Sequence, residues 1–246
     1  DELMCLRSEV TPMEFPEVKE VIEQAYGCPW NEIFAFISDT PLGSASIAQV
    51  HRAELLSGEQ VVIKVQRIGI YEIMARDIGL LRKAVKLMPP ISLKGMADFD
   101  QVLDEFWNVT REEMNFLTEA SNMEEFARRN ADVVYVRTPK LYQEYTTMHV
   151  LVMEYIAGPA IDDKEKLLAG GYDLEEIGIK LIDNYIKQVM EDGFFHADPH
   201  PGNVKIQDGK IVWIDMGMMG RLTERDREQI SNAVKGVAEN DIGLIQ

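Results

Sequence analysis

His196-Ala197-Asp198-Pro199-His200-Pro201-Gly202-Asn203, followed by Trp213-Ile214-Asp215-Met216-Gly217, is the stretch on which the reading of this chain turns. It offers a carboxylate at Asp198, an amide five positions on at Asn203, and a second carboxylate at Asp215 just after an apolar run. Pro fixes φ and Gly permits turns that other residues resist, so a loop carrying Pro199, Pro201 and Gly202 holds its polar groups rigidly. His196, Asp198 and His200 alternate, which would also suit metal ligands on an extended strand. That reading leaves Asn203 and Asp215 unexplained, and an ordinary polar turn would not need Asp, Asn and a second Asp at this spacing.

Phosphoryl transfer requires oxygen ligands for Mg²⁺ on one side of the phosphates and a carboxylate facing the nucleophile on the other. Protein kinases meet that need with an Asp, an Asn five residues later, and a subsequent Asp-x-Gly. Asp198 is therefore the candidate catalytic residue, and Asn203 and Asp215 are the candidate metal ligands.

The chain has 246 residues, 46% of them hydrophobic, enough for one large or one two-lobed domain. A net charge of −17 argues against nucleic acid as a partner and disfavours broad docking to anionic lipid. No apolar run is long enough to cross a bilayer, and no signal peptide is visible. Cys5 and Cys28 sit outside any metal spacing, so they read as free thiols in a reducing, cytoplasmic compartment. Starting at Asp1 and stopping in an unfinished helical pattern at Gln246, the sequence reads as a piece of a longer protein. Segments outside it could bring that protein to a membrane surface.

Residues 1–15 read as irregular, and Glu17 to Tyr26 as a helix between Pro16 and Gly27. Trp30 to Phe36 reads as a short amphipathic turn or helix. Small residues then cluster from Gly43 through Ser44, Ala45 and Ser46 to Ile47 and Ala48, and an alternating strand through Val50 reaches about Leu55. Small side chains let backbone N–H groups approach a phosphate, although such turns between strands are common. After a turn at Ser57-Gly58-Glu59, Val61 to Val65 returns as a strand with Lys64 inside it. A Lys in a strand is usually the solvent-facing member of an alternation, but one that follows a small-residue loop is also how kinases place their phosphate-contacting Lys. Tyr71 to Leu87, stopped by Pro89-Pro90, and Phe99 to Arg129 read as helices, the second rich in acids. One acid should orient Lys64, and periodicity does not choose which. Lys140 to Tyr145 and His149 to Tyr155 read as strands. Glu154 to Gly158, including Tyr155 and Ile156, reads as a hinge whose backbone could meet an adenine edge. Leu174 to Met190 reads as an apolar core helix, Asp208-Gly209 as a hairpin turn, and Thr223 as the N-cap of a last helix.

These residues together resemble the UbiB family of atypical kinases, also called ABC1 or AarF. The resemblance rests on Pro41 to Ala53, Val61 to Gln66, Glu113 to Asn122, Val152 to Gly158, His196 to Asn203 and Asp215 to Gly217. It implies an α+β, bilobal protein-kinase-like fold, with a small antiparallel-sheet N-lobe over residues 1–154, carrying family-specific helices, and a mainly helical C-lobe over 155–246. It implies Mg²⁺-ATP as substrate, with Mn²⁺ as a substitute ion. The family's Ala-rich nucleotide loop falls on Gly43-Ser44-Ala45-Ser46, its strand Lys on Lys64 and the partner Glu on Glu119. A Glu-x-Asp motif falls on Glu113-Met114-Asn115, with Asn where the family has Asp. The family's Lys-x-Gly-Gln helix and C-terminal extension have no counterpart in these residues. Several members support ubiquinone biosynthesis and look like ATPases or lipid-linked small-molecule kinases.

The leading expectation is an ATP-dependent phosphotransferase or ATPase acting on a small, lipid or quinone-pathway acceptor or on water, with or without partner proteins. A nucleotide-switched regulator is one alternative. A small-molecule kinase of the aminoglycoside or choline type is another, and the Ser46-Ile47-Ala48-Gln49-Val50-His51 segment fits it less well.

Overall fold

A computed structural model describes residues 11–87 and 99–239. Cys5, the chain before residue 11, the Pro89-Pro90 stop and the last residues to Gln246 lie outside them. The chain divides into two compact units, Asp1–Ala120 with Leu141–Tyr155, and Ser121–Lys140 with Ile156–Gln246. This differs from the contiguous division expected at 154/155, because residues 121–140 join the second unit. Phe126 packs on Trp213 at 6.2 Å between ring centroids, and Asn184 donates to Asn130 at 2.7 Å.

The first unit opens with α1, Phe15–Tyr26, whose first turn is closed by the Glu14 N–H donating to Glu17 Oε2 at 2.7 Å. Gly27 ends it in the left-handed region, at φ 69°. One face of the helix, Val18, Val21 and Ile22, is buried against a five-stranded antiparallel sheet. Its strands are β1 (Phe34–Ile37), β2 (Gly43–Ser44), β3 (Ala48–Leu55), β4 (Gln60–Gln66) and β6 (Val150–Glu154), in the order β1-β3-β4-β6 with β2 on β3. Phe34, Val61, Ile63 and Val152 complete the core.

Three expectations are corrected here. Only Trp30–Glu32 of the segment Trp30 to Phe36 is helical; Phe34 is buried in the sheet, and β1 pairs with β3 across a bulge. Of the two strands read over 140–155, the first is absent. Leu141 makes a single bridge to Met153, the chain turns at Gln143–Tyr145, and the Thr146 hydroxyl bonds the Tyr142 carbonyl and the Val152 N–H. The single helix read over 99–129 is two, α3 (Phe99–Glu113) and α4 (Phe116–Arg129). The break is pinned from the sheet: Gln66 donates to the Met114 carbonyl at 2.7 Å, and the Phe116 N–H donates to the Met148 carbonyl at 3.1 Å. Helix α2 spans Ile70–Leu87 and meets α3 through Tyr71 and Trp107. The apolar stripe Phe99, Val102, Phe106 and Val109 on α3 is exposed.

The second unit holds β5 (Val136–Arg137), α5 (Lys164–Ala169), α6 (Leu174–Ile186), β7 (Phe194–His196), β8 (Val204–Gln207), β9 (Lys210–Trp213), β10 (Met219–Arg221) and α7 (Glu224–Glu239). Strands β5-β9-β8 form one sheet and β10-β7 a two-stranded ribbon. The reading of Leu174 to Met190 as an apolar core helix is overturned. Ile179, Ile182 and Ile186 are exposed, and the residues this element buries are Asn184 and Gln188. After Ile186 the helix widens into a π-turn, Lys187–Asp192, ended by Gly193 at φ 59°. Thr223 caps α7 as expected, exchanging bonds with Asp226: its N–H reaches Oδ2 at 3.0 Å, and its hydroxyl accepts the Asp226 N–H at 3.2 Å. Among the described residues no helix is long and apolar enough to cross a membrane.

Two glycines of the second unit make opposite predictions. A Cβ on Gly158 would lie 1.8 Å from the Ile206 carbonyl oxygen, whereas one on Gly178, inside α6, would meet nothing within 4 Å. Gly158→Ala must push β8 aside and should destabilise the chain by about 1–3 kcal/mol or more. Gly178→Ala should stabilise it by about 0.5–1 kcal/mol, because Ala loses less backbone freedom in a helix. Thermal unfolding of the two variants should give Tm shifts of opposite sign; a tolerated Gly158→Ala would refute the close approach.

Candidate active site

Each unit carries its own part of the candidate machinery. In the first, Gly43 and Ser44 pair with Val50 and Gln49, and the Ala45 N–H donates to the Ala48 carbonyl at 2.8 Å. The loop Ala45-Ser46-Ile47 is thus the tight connection of the β2–β3 hairpin. Lys64 lies mid-strand on β4, opposite Val50 on one side and Leu151 on the other. Its Nζ donates to both oxygens of Glu119, at 3.1 and 2.9 Å. Glu119 stands in the first turn of α4 with its side chain 4% exposed, and Lys64 is 17% exposed. An ion pair this far out of water holds its geometry, because removing either partner strands the other charge. Asn115 does not extend any acidic cluster: its Oδ1 accepts the Leu117 N–H at 3.1 Å, so it caps the start of α4.

At the end of β6, Glu154 pairs with Val61, and the Tyr155 N–H donates to the Gln60 carbonyl at 3.1 Å. The Arg52 guanidinium lies 4.8 Å from the Tyr155 ring centroid. In the second unit Ile156 is buried and its carbonyl accepts Lys205 Nζ at 2.8 Å.

The second unit assembles the Asp, Asn and Asp around His196. The Asp208-Gly209 turn has φ of 53° and 73°, both positive, which suits the twist of a two-residue hairpin. That turn sets the β8–β9 register, Val204 opposite Trp213, so the Ile214 N–H donates to the Asn203 carbonyl at 2.9 Å. Asn203 and Asp215 are thereby brought to the same open end of one hairpin. Asn203 Nδ2 reaches the Asp198 carbonyl at 3.0 Å and its carboxylate at 3.4 Å. The Gly217 N–H donates to Asp215 Oδ1 at 2.9 Å. His200 caps the turn Pro201–Asn203, its Nδ1 accepting the Gly202 N–H at 3.0 Å.

His196 is 1% exposed and stacks on Trp213 at 4.9 Å. Its Nε2 donates to the Asp215 carbonyl at 2.6 Å, and its Nδ1 accepts the Asp198 N–H at 3.2 Å. Those bonds require the neutral imidazole, and burial does lower its pKa. With both ring nitrogens on the backbone, His196 is not a metal ligand; it fixes the spacing of the two acids. Among the described residues no cluster of three or more His, Cys, Asp or Glu side chains could hold a metal ion. Asn203 and Asp215 nonetheless offer oxygen donors of the kind a hard divalent cation takes.

Sequence reasoning missed the supports. Gln188 Oε1 accepts the His196 N–H at 3.0 Å, Gln188 donates to Asn184 at 2.8 Å, and the Trp213 indole N–H reaches the same Asn184 oxygen at 3.1 Å. Asn184 and Gln188, four apart in an apolar run, were the signal. Asn122 donates to the carbonyl of the buried Met216 at 3.0 Å. Glu125 binds Arg221 at 2.6 Å and Arg129 at 2.6 Å, and these guanidinium groups hold its carboxyl down to about 2.

An antiparallel sheet with a helix-paired Lys, and a Pro-rich Asp-to-Asn loop joined to an Asp-x-Gly, define the class as a protein-kinase-like fold. The chain belongs to the ABC1 atypical kinase-like domain family, whose family model matches residues 5–246. It is 39% identical over 241 residues to an uncharacterized protein in the hydrogenase 1 5′ region of Clostridium pasteurianum, covering 98% of this chain and 46% of that one. It is 36% identical over 247 residues to the chloroplastic ACTIVITY OF BC1 COMPLEX KINASE 8 of Arabidopsis thaliana, covering 98% of this chain and 32% of that protein. The chain therefore spans less than half the length of each. Among solved structures, Rv3197 of Mycobacterium tuberculosis, in complex with erythromycin, matches with a TM-score of 0.72 at 26% identity, over 96% of this chain and 59% of that one.

His196→Phe keeps a ring on Trp213 and removes both bonds, so it should cost about 1–3 kcal/mol in unfolding. Because folding lowers the pKa of His196, the parent's stability is full above the unfolded value near 6.5 and declines as pH falls through it. The variant should show a shallower decline between about pH 6.5 and 5; an identical slope would mean His196 is not buried neutral.

Proposed function

We propose that this chain is the Mg²⁺-ATP-handling part of a phosphotransferase or ATPase whose acceptor is a small or lipid-like molecule, or water. The observation that supports this most is the joining of Asp198 and Asp215 through His196, with Asn203 bonded to Asp198 and its carbonyl accepting the Ile214 N–H next to Asp215. Asp198, exposed on its loop, is the group that would orient the attacking hydroxyl or water and take its proton. Asn203 and Asp215 would hold the divalent ion, Mg²⁺ or Mn²⁺, which when bound neutralises charge on the phosphates. Lys64, oriented by Glu119, would contact the α- and β-phosphates, while the Gly43–Ile47 loop would lie on the phosphates. The backbone of Glu154, Tyr155 and Ile156 would meet the adenine.

A protein acceptor needs a docking platform after the Asp-x-Gly. Here only Met218 to Leu222 separates Gly217 from Thr223, and three of those residues, Met219 to Arg221, are strand β10 on β7. Met218 is exposed and would offer apolar surface beside the loop. The erythromycin bound by Rv3197 is likewise a bulky non-protein molecule. The process we assign is isoprenoid quinone biosynthesis or lipid homeostasis, on the resemblance of the motifs.

Nucleotide should stabilise the chain, by about 2.7 kcal/mol at a hundredfold excess over Kd. Asp215→Asn should abolish most of the Mg²⁺-dependent rise in Tm without lowering the ligand-free Tm comparably. Asp198→Asn should retain the rise and lose turnover by about 10²–10⁴-fold. No rise with millimolar Mg²⁺-ATP in the folded parent, or efficient Asp198-dependent labelling of another protein, would refute the reading.

A further inference from the structure

Arg67 follows β4 directly, three residues after Lys64, and no part of the proposed chemistry uses it. Its guanidinium spreads over three acceptors. Nε donates to the Ala45 carbonyl at 2.8 Å, one terminal nitrogen to the Ser44 hydroxyl at 2.6 Å, and the other to the Thr11 carbonyl at 3.0 Å. Its own backbone N–H donates to the Ile47 carbonyl at 2.9 Å. One residue thus gathers the loop and the segment before α1.

The same two pieces are tied a second time from β3. Gln49, fully buried, accepts the Met13 N–H at 2.7 Å and donates to the Met13 carbonyl at 3.3 Å, as a strand partner would. Its Nε2 also lies 2.9 Å from His51 Nε2, and His51 Nδ1 lies 2.8 Å from the Ser38 carbonyl, so the imidazole accepts from Gln49 and donates to Ser38. Gln49 and His51 alternate along β3 and point the same way, so His51 braces the Gln49 amide that holds Met13.

A trans peptide points its C=O and its N–H in opposite directions. With the Ala45 carbonyl bound to Arg67, the Ser46 N–H of that peptide is turned away from the guanidinium. A cation on the carbonyl also polarises the peptide and strengthens that N–H as a donor. We propose that Arg67 is the positioning residue of the small-residue loop: it sets the Ala45–Ser46 peptide so that the Ser46 N–H faces a nucleotide phosphate, and it locks the loop to the Thr11–Met13 segment. This rests on the nucleotide reading above and adds to it a dependence of phosphate affinity on the residues before α1.

The test compares the parent, Arg67→Ala and Arg67→Lys for binding of Mg²⁺-ATP and of adenosine, with hydrogen exchange of the ligand-free chains over residues 11–15 and 43–48. Arg67→Ala should weaken Mg²⁺-ATP by about tenfold or more, the worth of a charge-assisted bond, and leave adenosine within about twofold. Arg67→Lys should recover only part of the loss, because a single ammonium cannot span three acceptors. Exchange should speed up in both segments together, including at Met13, which Arg67 does not touch. Equal losses for ATP and adenosine, or unchanged ATP affinity, would overturn the proposal while the nucleotide reading stands. If the parent binds neither ligand, the nucleotide reading and the phosphate role both fall; unchanged exchange would then overturn the lock as well.

Discussion

A neutral imidazole with both nitrogens committed to backbone is the constraint on which the second unit depends. His196 receives the Asp198 N–H on one side and donates to the Asp215 carbonyl on the other, so two acids seventeen residues apart are fixed by one flat ring. The ring must be dry and neutral, and everything beneath it serves that end. Trp213 stacks on it, and Gln188, Asn184 and Asn130 form a hydrogen-bonded chain below, each buried and each partnered. Buried amides are tolerable only when satisfied, so this chain of side chains specifies one arrangement of α4, α6 and β7 rather than a family of them.

The first unit solves a related problem with charge. Lys64 sits in a strand bonded on both sides, and its ammonium would be costly there without Glu119. Glu119 is in place because the acidic stretch is not one helix. The contacts from Gln66 and Met148 stop α3 at Glu113 and restart the chain at Phe116, with Asn115 as the cap. An unbroken helix over the same residues would carry Glu119 on a different rotation. The carboxylate in the first turn also lies at the favourable end of the helix dipole.

Several elements could be read before any coordinates because their cause is local. Pro16 and Gly27 bound α1, Asp208-Gly209 makes the hairpin, and Thr223 caps α7. Phe34 shows the opposite case: it lies in a stretch whose spacing suits a helical turn, and the burial of its ring in the sheet decides for strand. The isoleucines of α6 mislead for the same reason. Periodicity reports that a helix has an apolar face, not which face the rest of the chain covers, and here the covered face carries Asn184 and Gln188.

What the sequence by itself determined is the chemistry on offer: a Lys in a strand, an Asp and an Asn five apart in a Pro-rich loop, a later Asp-x-Gly, and a small-residue turn. Those depend on residue type and short spacing, which the chain carries directly. Only the tertiary structure decided the partners. It brought Lys64 to Glu119, the acid that the family resemblance pointed to and periodicity did not, gave His196 and Asn115 structural rather than ligand roles, and gave Arg67 and Gln49 the task of holding residues 11–13 to the loop. Apart from the Asn115 cap, which meets its partner two residues on, those pairings join residues from 19 to 56 positions apart, and a contact at that separation follows from how the elements pack, which no local pattern encodes.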